Sequence, residues 1–336
     1  MSDNTVRSGE ILFIKAVKDG IPNRDPLRDS DARRLFGEED GRISLSDVSI
    51  KRDVRDYVLA RHADGGPGRD RFVFVRKEFS DGGKLLGREN LAKTLLARAG
   101  RSVKDTDKAS ILSVAFDARA FGIVFSVGDK AFNQVGPVQF GWAHSLHPVE
   151  TRYTQGTVVM PSKDTNTAAD AGAEAEGSTQ GTIWTMYTVP FAVFAMPAVI
   201  SSSIARDTGL SAADLELLLE ALWRGTSARQ ARGRGLQRPL LLLHVEYRDP
   251  FDRIGYLEEG IALEPGRESW LGGKQPTSVA DVSLDVRGLA GVLEKNVGRI
   301  ARARVWRDER LAIRGELPAE VSVWPPCDPS AAELGR

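Results

Sequence analysis

The chain has 336 residues, 41% hydrophobic and 27% charged, with 46 Lys+Arg against 46 Asp+Glu. That composition excludes wholesale disorder and a fibrous architecture, and the even charge balance means that any basic surface must be local. The single cysteine, Cys327, excludes an internal disulfide and a multi-thiolate metal centre. No apolar run nears the ~18 residues of a membrane span, so a soluble cytoplasmic protein is expected.

Glu10–Val17 is an apolar run of strand length, followed by a polar loop in which Pro22, Pro26 and several aspartates forbid regular structure. The next segment reads as a helix: Ser44 and Asp47 have capping-box spacing, and Ile50, Val54, Tyr57 and Val58 share one apolar stripe. Lys51, Arg52 and Arg55 fall on the other side of that wheel, which predicts a basic face pointing away from the core. Residues 63–113 mix a Gly/Pro turn, a short strand (RFVFVRKEF) and a helix (RENLAKTLLARAG), as an insertion on a main fold would. Phe116–Val127 is rich in aromatic and β-branched residues without clean alternation, which predicts a mid-sheet strand covered on both faces. A turn over GDKAFNQVG and a strand over GPVQFGW follow.

Two strand-like segments, GTVVM and TIWTMYTV, flank a stretch with no aromatic and no large aliphatic residue. That stretch cannot bury a core of its own, so the whole reads as a long hairpin with a flexible tip. Ser211 and Asp214 then cap a helix whose stripe is Leu215, Leu218, Leu219, Leu222 and Trp223 and which is expected to stop at Gly225. Pro239–Tyr247 is a buried strand, DVSLDVRG is strand-like, and LAGVLEKNVGRIARAR reads as a helix before a Pro-rich tail. Without the insertions the order is strand, helix, strand, strand, helix, strand. This predicts an α+β fold with two helices on one face of a largely antiparallel sheet, the ferredoxin-like or RRM arrangement.

The chemistry-bearing patterns are few. His144 and His147 lie three apart in extended chain, where they diverge, with Glu150 as the one close carboxylate; no metal site and no cofactor is expected. In SWLGGKQPT, Glu268 stands where a phosphate loop needs its first glycine, and Gln275 replaces the Ser/Thr. RAFGIVF matches the RNP1 signature only loosely. The segment after the second capped helix carries Arg224, Arg229, Arg232, Arg234 and Arg238 with no acidic residue between Glu220 and Glu246. An isolated arginine run is ordinarily a solvated loop; together with the basic helix face it can make one phosphate track.

IPNRDP, SDVSIKRDVRDYV, FDARAFGIVFS, GPVQFGWAHSLHPVE and LLLEALWRGT, in this order and spacing, resemble the CRISPR-associated backbone subunit of type I Cascade effectors, of the RAMP superfamily and similar to type I-B. The resemblance runs from about Glu10 to Tyr247 and is looser beyond Pro250. It implies a single decorated domain over 1–336, whose palm is a modified RRM. Helical fingers would fall at about 63–113, a β-hairpin thumb at about 152–187 and a C-terminal extension at about 250–336. It also implies a non-catalytic subunit that stacks with copies of itself along CRISPR guide RNA, joins other Cascade subunits and presents the guide to a target DNA strand.

Carried over by position, Lys51 and Arg52 match a phosphate-contacting pair, and Arg55 follows on the same face. Gln139, Trp142 and Ser145 match the strand region beside the RNA, and Arg229, Arg232 and Arg234 match a basic segment. Two departures stand out: Arg24 replaces a usual glycine, and His144 occupies the place of a usual arginine, which raises the expectation that it meets RNA as a titratable cation. Related type III subunits cut RNA with an aspartate in the loop after the first strand, so Asp25, Asp29 and Asp31 define an alternative, a metal-dependent endoribonuclease. A plain RRM-like regulator would instead be monomeric and sequence-selective.

Overall fold

The computed structural model describes residues 5–28, 30–104, 106–127, 131–157, 183–271, 273 and 275–324. Its axis is β1 (Gly9–Lys18), antiparallel to β9 (Phe191–Ile200) on one side and to β10 (Leu236–Tyr247) on the other. Beyond β9 lie β5 (Val138–Phe140) and β6 (Ala143–Ser145), and β6 pairs with the two-residue β2 (Ser44–Leu45). Beyond β10 lie β13 (Ile300–Arg307), antiparallel, and β15 (Val321–Val323), parallel to β13. The sheet therefore runs β15-β13-β10-β1-β9-β6-β2, in a mixed α+β fold dominated by antiparallel pairing.

Period-2 alternation places Ile11, Phe13 and Val17 of β1 in one apolar core and Leu12, Ile14 and Ala16 in a second. Both faces are covered, which is why the strand reads as a continuous apolar run. The first core is closed by α1 (Asp47–Arg61) and α6 (Ala212–Ala228), which pack on each other and supply Ile50, Val54, Leu218 and Leu222. The second is closed by the C-terminal part of the chain, including β12 (Ser283–Asp285) and α8 (Arg287–Lys295).

Residues 72–125 build a third, smaller core. Here α2 (Arg88–Arg98), α3 (Lys108–Val114) and α4 (Phe116–Phe121) pack with the hairpin β3 (Gly122–Phe125) and β4 (Phe132–Val135). The expected mid-sheet strand over Phe116–Val127 is thus replaced by a helical turn and a hairpin strand outside the main sheet. Gly122, at φ +87°, makes the corner; a Cβ there would lie 2.3 Å from the Gln134 carbonyl oxygen. GDKAFNQVG accordingly contains β4 and is not simply a turn. RFVFVRKEF forms no strand, because the Phe74 and Val75 N–H groups are taken by the Asp117 carboxylate, at 2.6 and 3.1 Å.

The hairpin β7 (Arg152–Thr157) with β8 (Ile183–Thr188) leaves the sheet just before β9. The expected flexible tip lies outside the described residues.

Three helix boundaries differ from expectation. Ser44 pairs with His144 in the sheet and caps nothing; the N-cap of α1 is Ser46, whose hydroxyl donates to Asn23 Oδ1 at 2.9 Å. The Ser211–Asp214 capping box is present, but α6 continues past Gly225 to Ala228. Gly225 serves close approach: a Cβ would sit 2.7 Å from the Asp53 carbonyl oxygen and 2.9 Å from Tyr57 Cβ. In the C-terminal part, α8 ends at Lys295, and Ile300–Arg307 is the strand β13, held by its register with β10. Among the described residues no helix is long and apolar enough to cross a membrane.

Candidate nucleic-acid interface

The basic face of α1 and the arginine segment after α6 meet around two carboxylates of α1. Asp53 is fully buried and accepts from Arg234 Nη2 at 2.6 Å and Arg229 Nη1 at 2.8 Å on Oδ1, with Lys15 Nζ at 3.4 Å from Oδ2. One turn further on, Asp56 pairs with Arg52 Nε at 2.7 Å and Arg229 Nε at 3.3 Å. Four cations share two carboxylates, a surplus of two positive charges where α1, β1 and the 229–235 loop meet. Burial pushes the Lys15 ammonium down to about 8, against the pull of Asp53.

The members differ in access. Arg52 is about half exposed, whereas Arg234 is 4% exposed and donates also to the Thr226 and Arg229 carbonyls, both at 3.3 Å. Lys51 lies low on the helix, bonded to Asp47 at 2.8 Å and 5.6 Å from the Phe121 ring centroid. Arg55 does not project from a basic face: its Nε donates to buried Asp117 at 2.8 Å, and its guanidinium packs 5.3 Å from Phe121. Of the three α1 cations, the expectation of an outward basic face therefore holds for Arg52 and fails for Lys51 and Arg55, whose side chains are 12% and 11% exposed and both lie against Phe121, because α4 folds over that side of α1. Helical periodicity marks which residues share a face but not what later packs on it.

Arg232 lies against the β7–β8 hairpin four rungs out from its root, its guanidinium 5.5 Å from the Trp184 ring centroid. Trp184 lies across Gly156, where any Cβ would come within 2.5 Å of the ring. Arg24 reaches the same place, against Gly233 and close to Met186. Arg24 is not among the residues with positive φ, so the side chain that replaces a usual glycine carries no backbone strain. The loop after β1, the arginine segment and β8 of the hairpin thus converge, the first two tied by the Ile21 N–H to the Gly233 carbonyl at 2.9 Å.

Across the sheet, Trp142 is 38% exposed, with Arg33 6.0 Å from its ring centroid. Gln139 donates to the Gly136 carbonyl at 2.8 Å, and Phe140 is buried against Phe121. Ser145 is buried and structural: its hydroxyl accepts from the Ile43 N–H at 3.1 Å and donates to the His147 carbonyl at 2.7 Å. His144 is half-buried, 3.0 Å from the Ser44 hydroxyl through Nδ1, with its ring 4.5 Å from Phe36. Burial and then Arg42 push its imidazole below the usual histidine value, which works against the expected cation. His147 points away, buried between Phe191 and Trp270.

Asp25 Oδ1 accepts from the Leu27 N–H at 3.1 Å, and Asp31 Oδ1 from the Ala32 N–H at 2.6 Å, as turn-forming aspartates do; Asp29 lies outside the described residues. Among the described residues no group of three or more His, Cys, Asp or Glu side chains could hold a metal ion. Sequence reasoning missed Asp53, Asp56 and Lys15. The available signal for Asp53 and Lys15 was their charge on otherwise apolar stripes, since an acidic residue between Ile50 and Val54 needs a buried cation; part-exposed Asp56 gave no such signal.

A family model for "CRISPR-associated protein Cas7" matches residues 7–287. A relative of Haloferax volcanii, "CRISPR-associated protein Cas7", is 28% identical over 339 residues, covering 92% of this chain and 89% of the relative. A chain of a solved "CRISPR RNA-guided surveillance complex, pre-nicking" superposes with a TM-score of 0.56 at 15% identity, covering 96% of this chain and 97% of that one. A second, from a "CRISPR RNA-guided surveillance complex", gives 0.50 at 14% identity, covering 94% and 95%. At these identities the two superpositions establish a shared fold.

Proposed function

The chain belongs to the CRISPR-associated protein Cas7 family, and on that premise we propose that it is the guide-RNA-binding backbone subunit of a type I surveillance complex. The observation that carries this reading is the surplus of two positive charges where α1 and the 229–235 loop share Asp53 and Asp56. Cations directed at phosphates and at no base edge bind any guide sequence, which is what a guide-coating subunit requires. Arg52 and Arg232 are the exposed phosphate contacts in this reading, and Lys51 joins them by exchanging its Asp47 partner for a phosphate; Arg229 and Arg234 hold the loop that carries Arg232. Gln139 and Trp142 flank the RNA on the sheet side.

The order β10-β1-β9-β6, with α1 and α6 on one face, supports an RRM-like palm. The face that a plain RRM leaves open for RNA is occupied by the second core, which favours a backbone subunit over a free-standing regulator. The small core of residues 72–125 corresponds to the fingers, and the β7–β8 hairpin to the thumb. Copies of the chain stack along the guide beside other subunits and leave its bases free for a target DNA strand, in the cytoplasm and without cleaving RNA. Reversing both charges, Lys51→Glu with Arg52→Glu, should release guide RNA from the assembled complex; unchanged retention would remove these contacts from the account. Incubation with complementary RNA and Mg²⁺ should leave the RNA intact, and defined cleavage lost on Asp25→Ala would establish the nuclease instead.

A further inference from the structure

We propose that Asp53, a carboxylate that can touch no ligand, is the positioning residue that assembles the RNA-binding face; this rests on the reading above. Asp53 is fully buried and joins three elements: β1 through Lys15, the loop through Arg229 and Arg234, and α1, to which it belongs. The loop has no regular structure of its own over residues 229–235. Its shape comes from side chains: Arg234 Nη1 donates to the Thr226 and Arg229 carbonyls, Arg229 Nη1 to the Ser49 carbonyl at 3.3 Å, and Gln237 Nε2 to the Arg234 carbonyl at 3.3 Å. Lys15 Nζ closes the ring on Gln237 Oε1 at 2.9 Å. With the loop so fixed, Arg232 meets Trp184 and Gly233 meets Arg24 and Met186, so the carboxylate sets where the exposed cations stand relative to the hairpin.

Asp53 also opposes binding electrostatically, since it is a negative charge beneath a polyanion site. The two roles predict opposite signs on its removal. Charge alone makes Asp53→Asn bind RNA more tightly, because one repulsive charge is gone. Positioning makes it bind more weakly, because two guanidiniums lose their charged acceptor and the loop is released. Asp56 is part-exposed and pairs with Arg52 at 2.7 Å and with Arg229 at 3.3 Å; Arg229 keeps its shorter contact with Asp53 when Asp56 is neutral, so Asp56 mainly screens and Asp56→Asn should bind as well as wild type or better.

The experiment measures affinity of the full chain for a fluorescein-labelled oligouridine over a salt series. Asp53→Asn is expected to be about tenfold weaker, with a salt slope shallower by about 0.7 for each phosphate that is no longer neutralised, while Asp56→Asn is not weakened. Asp53→Asn binding as tightly as wild type, or more tightly, with an unchanged slope would overturn the assignment. If Asp53→Asn does not fold, Arg234→Lys decides at constant charge: weaker binding supports positioning, and unchanged binding overturns it. A wild-type chain that ignores oligouridine even at low salt removes the proposed function and this assignment with it; a wild-type chain that binds it in a salt-dependent way, while the variants do not weaken, removes this assignment alone.

Discussion

Arg55 of α1 donates through Nε to Asp117 of α4 at 2.8 Å, and the same carboxylate receives the Phe74 and Val75 N–H groups. One buried side chain therefore joins α1 to the start of the 72–125 core and replaces the backbone pairing a strand would have supplied. Removing one partner of such a pair leaves an uncompensated buried charge, costing about 3–5 kcal/mol. Asp117→Ala should destabilise the chain by that amount, with the largest rise in amide hydrogen exchange at Phe74 and Val75. Uniform exchange across the molecule would contradict a local anchor.

Gly225 lets α6 approach α1 until its Cα faces the Asp53 carbonyl. Gly225→Ala inserts a methyl group where neither backbone nor Tyr57 can yield freely. The expected cost is about 1–3 kcal/mol, despite alanine's better helix propensity. Chemical denaturation measures it, and a neutral or stabilising effect would show that the two helices are less tightly packed.

Much of the fold was legible because each core helix kept its period: Ile50, Val54 and Val58 mark α1, and the Ser211–Asp214 box marks the start of α6. The central strand β9 was not legible, since Pro190 and Pro197 bracket a run that local rules place outside a sheet interior. Pro197 is tolerated because it needs no donor; its carbonyl accepts from the Gly141 N–H at 2.8 Å. At the site, Arg52 and Arg232 were readable as cations, but the burial of Arg55 and Arg234 depends on Asp117 and Asp53, partners 62 and 181 residues away. Sequence distance hides such pairs, and only packing reveals them.

Burial pushes the His147 imidazole down to about 4, although its bond to the Pro148 carbonyl pulls upward. Between that value and the ordinary 6.5 the unfolded chain binds a proton that the folded chain does not. Stability from this group is therefore complete above pH 6.5 and lost as pH falls towards 4, by up to about 3 kcal/mol. His147→Phe should flatten the acid limb of the melting temperature between pH 6.5 and 4; an unchanged limb would show that His147 titrates normally.

Burial lowers the His144 imidazole from its usual value, and the ring is bonded to Ser44, which favours the neutral form. His144→Gln should change guide affinity by the same factor at pH 7 and pH 8. A deficit confined to the lower pH would identify His144 as a cation after all.

The central claim is that this chain binds RNA through phosphates and not through sequence. Affinity of the purified full chain for two unrelated single-stranded RNAs of equal length, measured over a salt series, tests it most directly. The account predicts equal affinities and a linear fall of log affinity with log salt, with a slope of about −0.7 per phosphate neutralised. Binding that ignores salt, or that selects one of the two sequences, would contradict it.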